Sequence, residues 1–167
     1  MLLLRNFKYL CKMKHFSLNS LSKQLDIGSS NLSRIMRGIY QEKNLPLETV
    51  VRLANVFEIS LQEFVFVDIA VDGFSLNGYD TNQKDIYFMK NLLYLSSKNT
   101  ISLNQLSIQI GMHRNTLNML NRNEKKEKNV TIGTVAKLAS YFNLTLDELV
   151  FEDLSKKEKK VGSVTHF

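Results

Sequence analysis

One cysteine, three histidines, and 22 lysines and arginines set against 16 acidic residues are the groups in this 167-residue chain that could do chemistry. Cys11 stands alone, so neither an intramolecular disulfide nor a cysteine-based metal site can be assembled. His15 and His166 are isolated in sequence, and His113 has no carboxylate or nucleophile at a matching spacing. No metal set, Gly-rich phosphate loop or nucleophile motif emerges, which argues against an enzyme and implies no cofactor. The formal charge of +6 remains as the chemical signal. Residues 1–68, 86–153 and 154–167 each carry an excess of Lys and Arg, whereas 69–85 is acidic. That distribution is compatible with an anionic partner such as nucleic acid, and also with a surface charged for solubility.

The elements that must position these charges are written twice. Residues 1–68 lie over 86–153 without a gap, Leu106 standing 85 positions after Leu21, and roughly a third of the aligned positions are identical. Ser17-Leu18-Asn19-Ser20-Leu21-Ser22 returns as Ser102-Leu103-Asn104-Gln105-Leu106-Ser107, and Glu42-Lys43-Asn44 returns as Glu127-Lys128-Asn129. Each copy is expected to be one small folding unit, joined by a connector over 69–85 with the character of a flexible tether. Phe74 and Tyr79 hint that this tether packs in part. A basic tail over 154–167 reads as a solvated extension of the last helix or a disordered arm. Met1-Leu2-Leu3-Leu4 is interrupted by Arg5 and Lys8 before it could act as a signal peptide, and no apolar run spans a membrane, so the cytoplasm is the expected compartment.

Within each copy the apolar spacing predicts five short helices and an all-α fold. Leu3, Phe7, Leu10 and Cys11 follow the period of a first amphipathic helix with a partly buried thiol. Ser17 and Ser102 stand as N-caps of a second helix, whose Leu21 and Leu25, or Leu106 and Ile110, point inward. A tight turn at Asp26-Ile27-Gly28, or Gly111-Met112-His113, leads into a third helix with Leu32 and Ile35, or Leu117 and Leu120, buried. Pro46 opens a fourth helix, and Ser60 and Thr145 cap a fifth.

This array, from Leu21-Ser22 through Arg37-Gly38, Pro46-Leu47-Glu48-Thr49-Val50 and Ile59-Ser60-Leu61, resembles the Cro/CI-type (XRE, lambda repressor-like) helix-turn-helix family. The second copy resembles it through Leu106-Ser107, Gly111, Leu117, Thr134-Val135 and Leu144-Thr145-Leu146-Asp147-Glu148-Leu149. The resemblance implies two tandem five-helix domains. It has departures. The turn glycine is present as Gly111 but replaced by Asp26, a residue that tolerates positive φ. Leu18 and Leu103 take the place of a phosphate-binding Gln, and Met36 and Asn121 replace a Glu that pairs with the first helix. The loop after the third helix is a few residues longer than usual.

The resemblance also implies how DNA would be read. A major groove about 12 Å wide accepts one α-helix, whose N-terminal side chains reach base edges. The exposed early residues of the third helix become the readers, Ser29, Ser30 and Arg34 in the first copy and Arg114, Asn115 and Met119 in the second. Arg forks onto guanine and Asn onto adenine, each giving about 1–3 kcal/mol of discrimination, whereas Ser bonds to almost any base. The second copy is therefore expected to specify sequence and the first to add affinity. Phosphate contacts fall to Asn31, Arg37, Lys43 and Asn44, and to His113, Thr116, Arg122, Lys128 and Asn129. Arg37 and Arg122 have a second reading as cations that stabilise a helix C-terminus. His113 has one as a cap.

Two copies in one chain imply a covalent counterpart of a repressor dimer, with reading helices about 34 Å apart on an asymmetric site. The competing arrangement is a homodimer through the fifth-helix segments Phe64-Val65-Phe66-Val67 and Leu149-Val150-Phe151, which could equally seal the two copies together. The expected function is a sequence-specific regulator of transcription, repressor-like and bacterial or phage in origin, whose partner is double-stranded DNA. The rival is a protein-interaction module of the antitoxin or inhibitor type, which reuses the fold and suits the bland Ser29-Ser30 pair. No ligand-sensing domain is left over, so control by a small molecule would have to act on the two repeats themselves.

Overall fold

The computed structural model describes residues 1–73, 85–122 and 130–161. The chain divides into two compact units, Met1–Gln83 with Thr131–Thr134 and Lys84–Val130 with Val135–Phe167. The first unit runs α1 (Leu3–Met13), α2 (Leu18–Leu25), α3 (Ser29–Met36), a 3-10 turn (Glu42–Asn44), α4 (Leu47–Phe57), α5 (Leu61–Phe66) and α6 (Ile69–Asp72). The second runs α7 (Phe88–Lys98), α8 (Leu103–Gln109), α9 (Thr116–Asn121), α10 (Ile132–Tyr141, which belongs to this unit from Val135 onward), α11 (Leu146–Phe151) and α12 (Leu154–Val161). The fold is all-α.

Local chemistry places the helix boundaries. Ser17 Oγ accepts from the Ser20 amide at 3.1 Å, Ser60 Oγ from Glu63 at 3.1 Å, and Ser102 and Thr145 form full capping boxes with Gln105 and Glu148. Helix ends and turns recur in left-handed pairs one repeat apart, His15 with Thr100, Asp26 with Gly111, and Glu58 with Asn143. Asp26 adopts φ 50°, ψ 42° at the C-cap of α2, so the turn survives without glycine. Behind these ends, Leu3, Phe7 and Leu10 of α1 pack with Leu21, Leu32, Val50, Leu53, Phe57, Leu61 and Phe64. Phe88, Leu92, Leu106, Leu117, Val135, Leu138, Leu146 and Leu149 form the equivalent core. Cys11 is buried on α1, and burial pushes its thiol up to about 11, which keeps it protonated and inert at neutral pH.

The polar residues that close each unit have no precedent in the periodic pattern. Asn6 is fully buried on α1; its Nδ2 donates to Phe64 O at 2.9 Å and Val67 O at 2.7 Å, and its Oδ1 accepts from the Ile69 amide at 3.3 Å. Asn91 repeats the clamp, donating to Leu149 O at 2.9 Å and Glu152 O at 2.6 Å and accepting from the Leu154 amide at 3.1 Å. Ion pairs follow the same repeat, Arg5 with Asp68 and Lys90 with Asp153, each at 2.6 Å.

These clamps draw a sixth helix onto each unit. Ile69 of α6 and Leu154 of α12 are buried, at 1% and 7% exposure, so the start of the expected tether and the start of the expected solvated tail are both docked helices. Phe74, Tyr79 and the tail beyond 161 lie outside the described residues. The fifth-helix segments offer little open apolar surface. Phe64, Val65, Leu149 and Val150 are fully buried, and within these two segments Phe66, 41% exposed, is the large apolar side chain left most open. Among the described residues no helix is long and apolar enough to cross a membrane.

Candidate nucleic-acid interface

In the first unit α2 and α3 form the helix-turn-helix. Leu21 and Leu25 of α2 and Leu32 and Ile35 of α3 are buried, while Ser29, Ser30, Asn31, Arg34 and Arg37 are exposed. The Arg34 guanidinium lies 5.8 Å from the centroid of the Tyr40 ring, a cation–π contact that restrains it without neutralising it. Arg37 stands at the C-cap of α3 and its Nε donates to Ser33 O at 3.4 Å, the geometry of a cation at a helix C-terminus. Lys43 and Asn44, both exposed, ride on the 3-10 turn. That turn is pinned by Glu42, whose Oε1 accepts from the Leu4 amide at 3.0 Å and so caps α1 from the loop. Arg52 ties the site to α4, donating to Leu25 O at 2.8 Å and to Glu48 Oε1 at 2.6 Å.

The second helix-turn-helix differs in register. α9 begins at Thr116, so Arg114 lies in the turn ahead of it and Asn115 at its N-cap, not in the helix where their counterparts Ser29 and Ser30 sit. The cause is the entry turn. Gly28 O accepts from both Asn31 and Leu32, which starts a full α-turn, whereas His113 O accepts from Thr116 at 2.9 Å and closes a tighter one. His113 Nδ1 also accepts from the Asn115 amide at 3.4 Å, a capping role. Arg114, Asn115, Met119 and Arg122 are exposed, and Thr116 is half-buried. Lys128 and Asn129, together with Lys125 and Lys126, lie outside the described residues.

Ser107 is a positioning residue that periodicity missed. Fully buried, its hydroxyl donates to Leu103 O at 2.8 Å and accepts from the Leu117 amide at 3.2 Å, which holds the start of α9 onto α8. Its counterpart Ser22 donates to Ile27 O at 2.7 Å and holds the turn instead. A small hydroxyl at an inward position was the available signal. Leu103, in the place of a phosphate-binding Gln, is buried, so its side chain supports the core.

The two surfaces have diverged in charge. Exposed Lys23 and Arg34 of the first unit are matched one repeat later by Ile108 and Met119, exposed at 60% and 63%. Cations on one unit, and an Arg-Asn pair with apolar neighbours on the other, suit two different target surfaces.

A buried helix pair joined by a tight turn, with a row of polar side chains at the start of the second helix, defines the helix-turn-helix class of DNA-binding domains. A helix-turn-helix family model matches residues 7–64, and the model of the Cro/C1-type HTH DNA-binding domain matches residues 91–151. The chain therefore belongs to the Cro/C1-type helix-turn-helix family, as two tandem domains, and is a DNA-binding regulator. Neither curated proteins nor solved structures yield a match to it.

Proposed function

We propose that the chain is a sequence-specific, repressor-like regulator of transcription that inserts α3 and the Arg114–Asn121 segment into the major groove of duplex DNA. Residues 1–68 and 86–153 are the two reading domains. The observation that carries this is the exposed polar row on each helix-turn-helix, Ser29, Ser30 and Arg34 in one and Arg114 and Asn115 in the other, set on elements whose opposite faces are buried. Arg114 and Asn115 read guanine and adenine edges, and Met119 meets a thymine methyl. Ser29 and Ser30 add contacts of low selectivity. Asn31, Lys43, Asn44, Thr116 and Arg122 hold phosphates and fix the register.

Titration of duplex DNA across a salt series tests the reading. The logarithm of the affinity falls linearly with that of salt, and Lys43→Ala or Arg122→Ala each lowers the slope by about 1. A slope near zero in the wild-type chain would overturn it. The second reading, a protein-interaction module, draws support from Ile108 and Met119, whose exposed apolar side chains replace cations of the first unit. Salt-indifferent assembly with a protein would favour it.

A further inference from the structure

The first unit includes four residues from far along the chain, Thr131–Thr134, together with Met1–Gln83. They lie against the loop that carries Lys43 and Asn44. Ile132 is fully buried, and its amide donates to Leu45 O at 2.9 Å, beside an isolated antiparallel bridge between Pro46 and Thr131. Ile132 opens α10, and an amide in the first turn of a helix has no carbonyl of its own helix to meet. Leu45 O supplies that acceptor from outside. In the same turn Thr131 Oγ1 accepts from the Thr134 amide at 3.3 Å.

Gly133 stands at the centre of this contact. Glycine inside a helix is disfavoured relative to alanine, because it has more backbone freedom to lose. One repeat earlier the position is Glu48, an ordinary helical residue whose carboxylate accepts from Arg52 at 2.6 Å. Position 133 has no room for such a side chain. A Cβ built there would stand 2.6 Å from Lys43 O, 2.8 Å from Lys43 Cβ and 3.2 Å from Lys43 Cα. The Lys43 backbone fixes all three atoms, so no change of rotamer relieves the clash. Glycine is what lets the start of α10 seat on Lys43.

The turn that carries Lys43 is therefore held twice. Glu42 Oε1 accepts from the Leu4 amide at 3.0 Å, and Gly133 meets the backbone of the next residue. The Lys43 side chain stays exposed. A cation on a backbone that is already fixed has less freedom to lose on meeting an anion. We propose that Thr131–Thr134 is a brace that holds Lys43 in place for a phosphate contact, with Gly133 as the positioning residue. The proposal rests on the reading of the chain as a duplex-binding protein; Gly133 acts through Lys43 and not on the DNA.

Hydrogen exchange on the free, full chain reads the brace in the wild type. The Ile132 amide should be protected from exchange. Gly133→Ala should remove that protection and shift the Lys43, Asn44 and Leu45 amides, with those of Leu53 and Leu138 unmoved. Duplex titrations across a salt series read the consequence. Gly133→Ala should lower the slope by about 1, as Lys43→Ala does, and the double variant should lower it no further than either single change. An unprotected Ile132 amide, or Lys43, Asn44 and Leu45 amides unmoved by Gly133→Ala, would overturn the brace. Amides displaced throughout both units would overturn it as well, because the seat would then belong to the core. A steep wild-type slope that Gly133→Ala leaves unchanged, or losses that add in the double variant, would overturn the positioning of Lys43 and leave the duplex reading standing. A wild-type slope near zero is the separate failure of that reading, and the positioning falls with it.

Discussion

Replacing Asn91 by Ala should unfold the second domain well below the wild-type transition. The side chain is fully buried and makes three hydrogen bonds at 2.9, 2.6 and 3.1 Å, to Leu149 O, Glu152 O and the Leu154 amide. Alanine removes all three partners at once and admits no compensating group. Leaving the buried Leu149 carbonyl and Leu154 amide unmet costs at least about 1 kcal/mol each, and the part-buried Glu152 carbonyl adds less, so the total is about 2–3 kcal/mol. For a domain of this size each kcal/mol moves Tm by about 4–8 °C, which places the shift near 15 °C. Asn91→Asp separates hydrogen bonding from packing. It keeps the shape and an acceptor for the Leu154 amide but sets carboxylate oxygen against two carbonyl oxygens, so it should destabilise at least as strongly as Ala. Thermal melts followed by circular dichroism and calorimetry on the full chain give the shifts. A melt of Asn91→Ala within about 4 °C of wild type, or an Asn91→Asp chain as stable as wild type, would refute the clamp.

Three further outcomes follow from the same geometry. Asp26→Gly should raise the urea midpoint, stabilising the first domain by about 0.5 kcal/mol, because glycine enters the left-handed region at the C-cap of α2 without steric cost. Hydrogen bonds from Lys90 and then Ser155 hold the Asp153 carboxyl at about 2, below its ordinary 3.8. Its contribution is therefore complete above pH 4 and is lost as pH falls through about 2, and Lys90→Met should remove that part of the acid dependence in pH-resolved melts. Cys11 should resist a thiol reagent at pH 8 in the folded chain and react once urea unfolds it, since its thiol is buried and titrates at about 11.

Whatever depends on neighbours in sequence was legible before the fold was known. Ser17, Ser60, Ser102 and Thr145 cap because a short oxygen reaches amides three residues on, and Asp26 and Gly111 share one backbone state because the turn demands it. Features that depend on partners some sixty positions away were not. Asn6 and Asn91 read as polar interruptions of an apolar stripe, and their worth lies in carbonyls of the fifth helix. The sixth helices hid for the same reason, since Ile69 and Leu154 are single apolar residues in otherwise polar segments and acquire their meaning from those asparagines. In the interface, Ser29, Ser30, Arg34, Arg114 and Asn115 were singled out by the family resemblance, and all five are exposed. The later start of α9 was not legible, because it turns on a single hydrogen bond between His113 O and the Thr116 amide.

Selection of bound sequences from a random duplex library tests the central claim most directly, with the wild-type chain beside Arg114→Ala and Ser29→Ala/Ser30→Ala. Both variants change exposed side chains, so the fold is preserved. The wild type should enrich one asymmetric motif, Arg114→Ala should lose a guanine from it, and the double serine variant should retain the motif with weaker binding. A motif unchanged by Arg114→Ala, or no enrichment at low salt, would contradict reading of the major groove by the second domain.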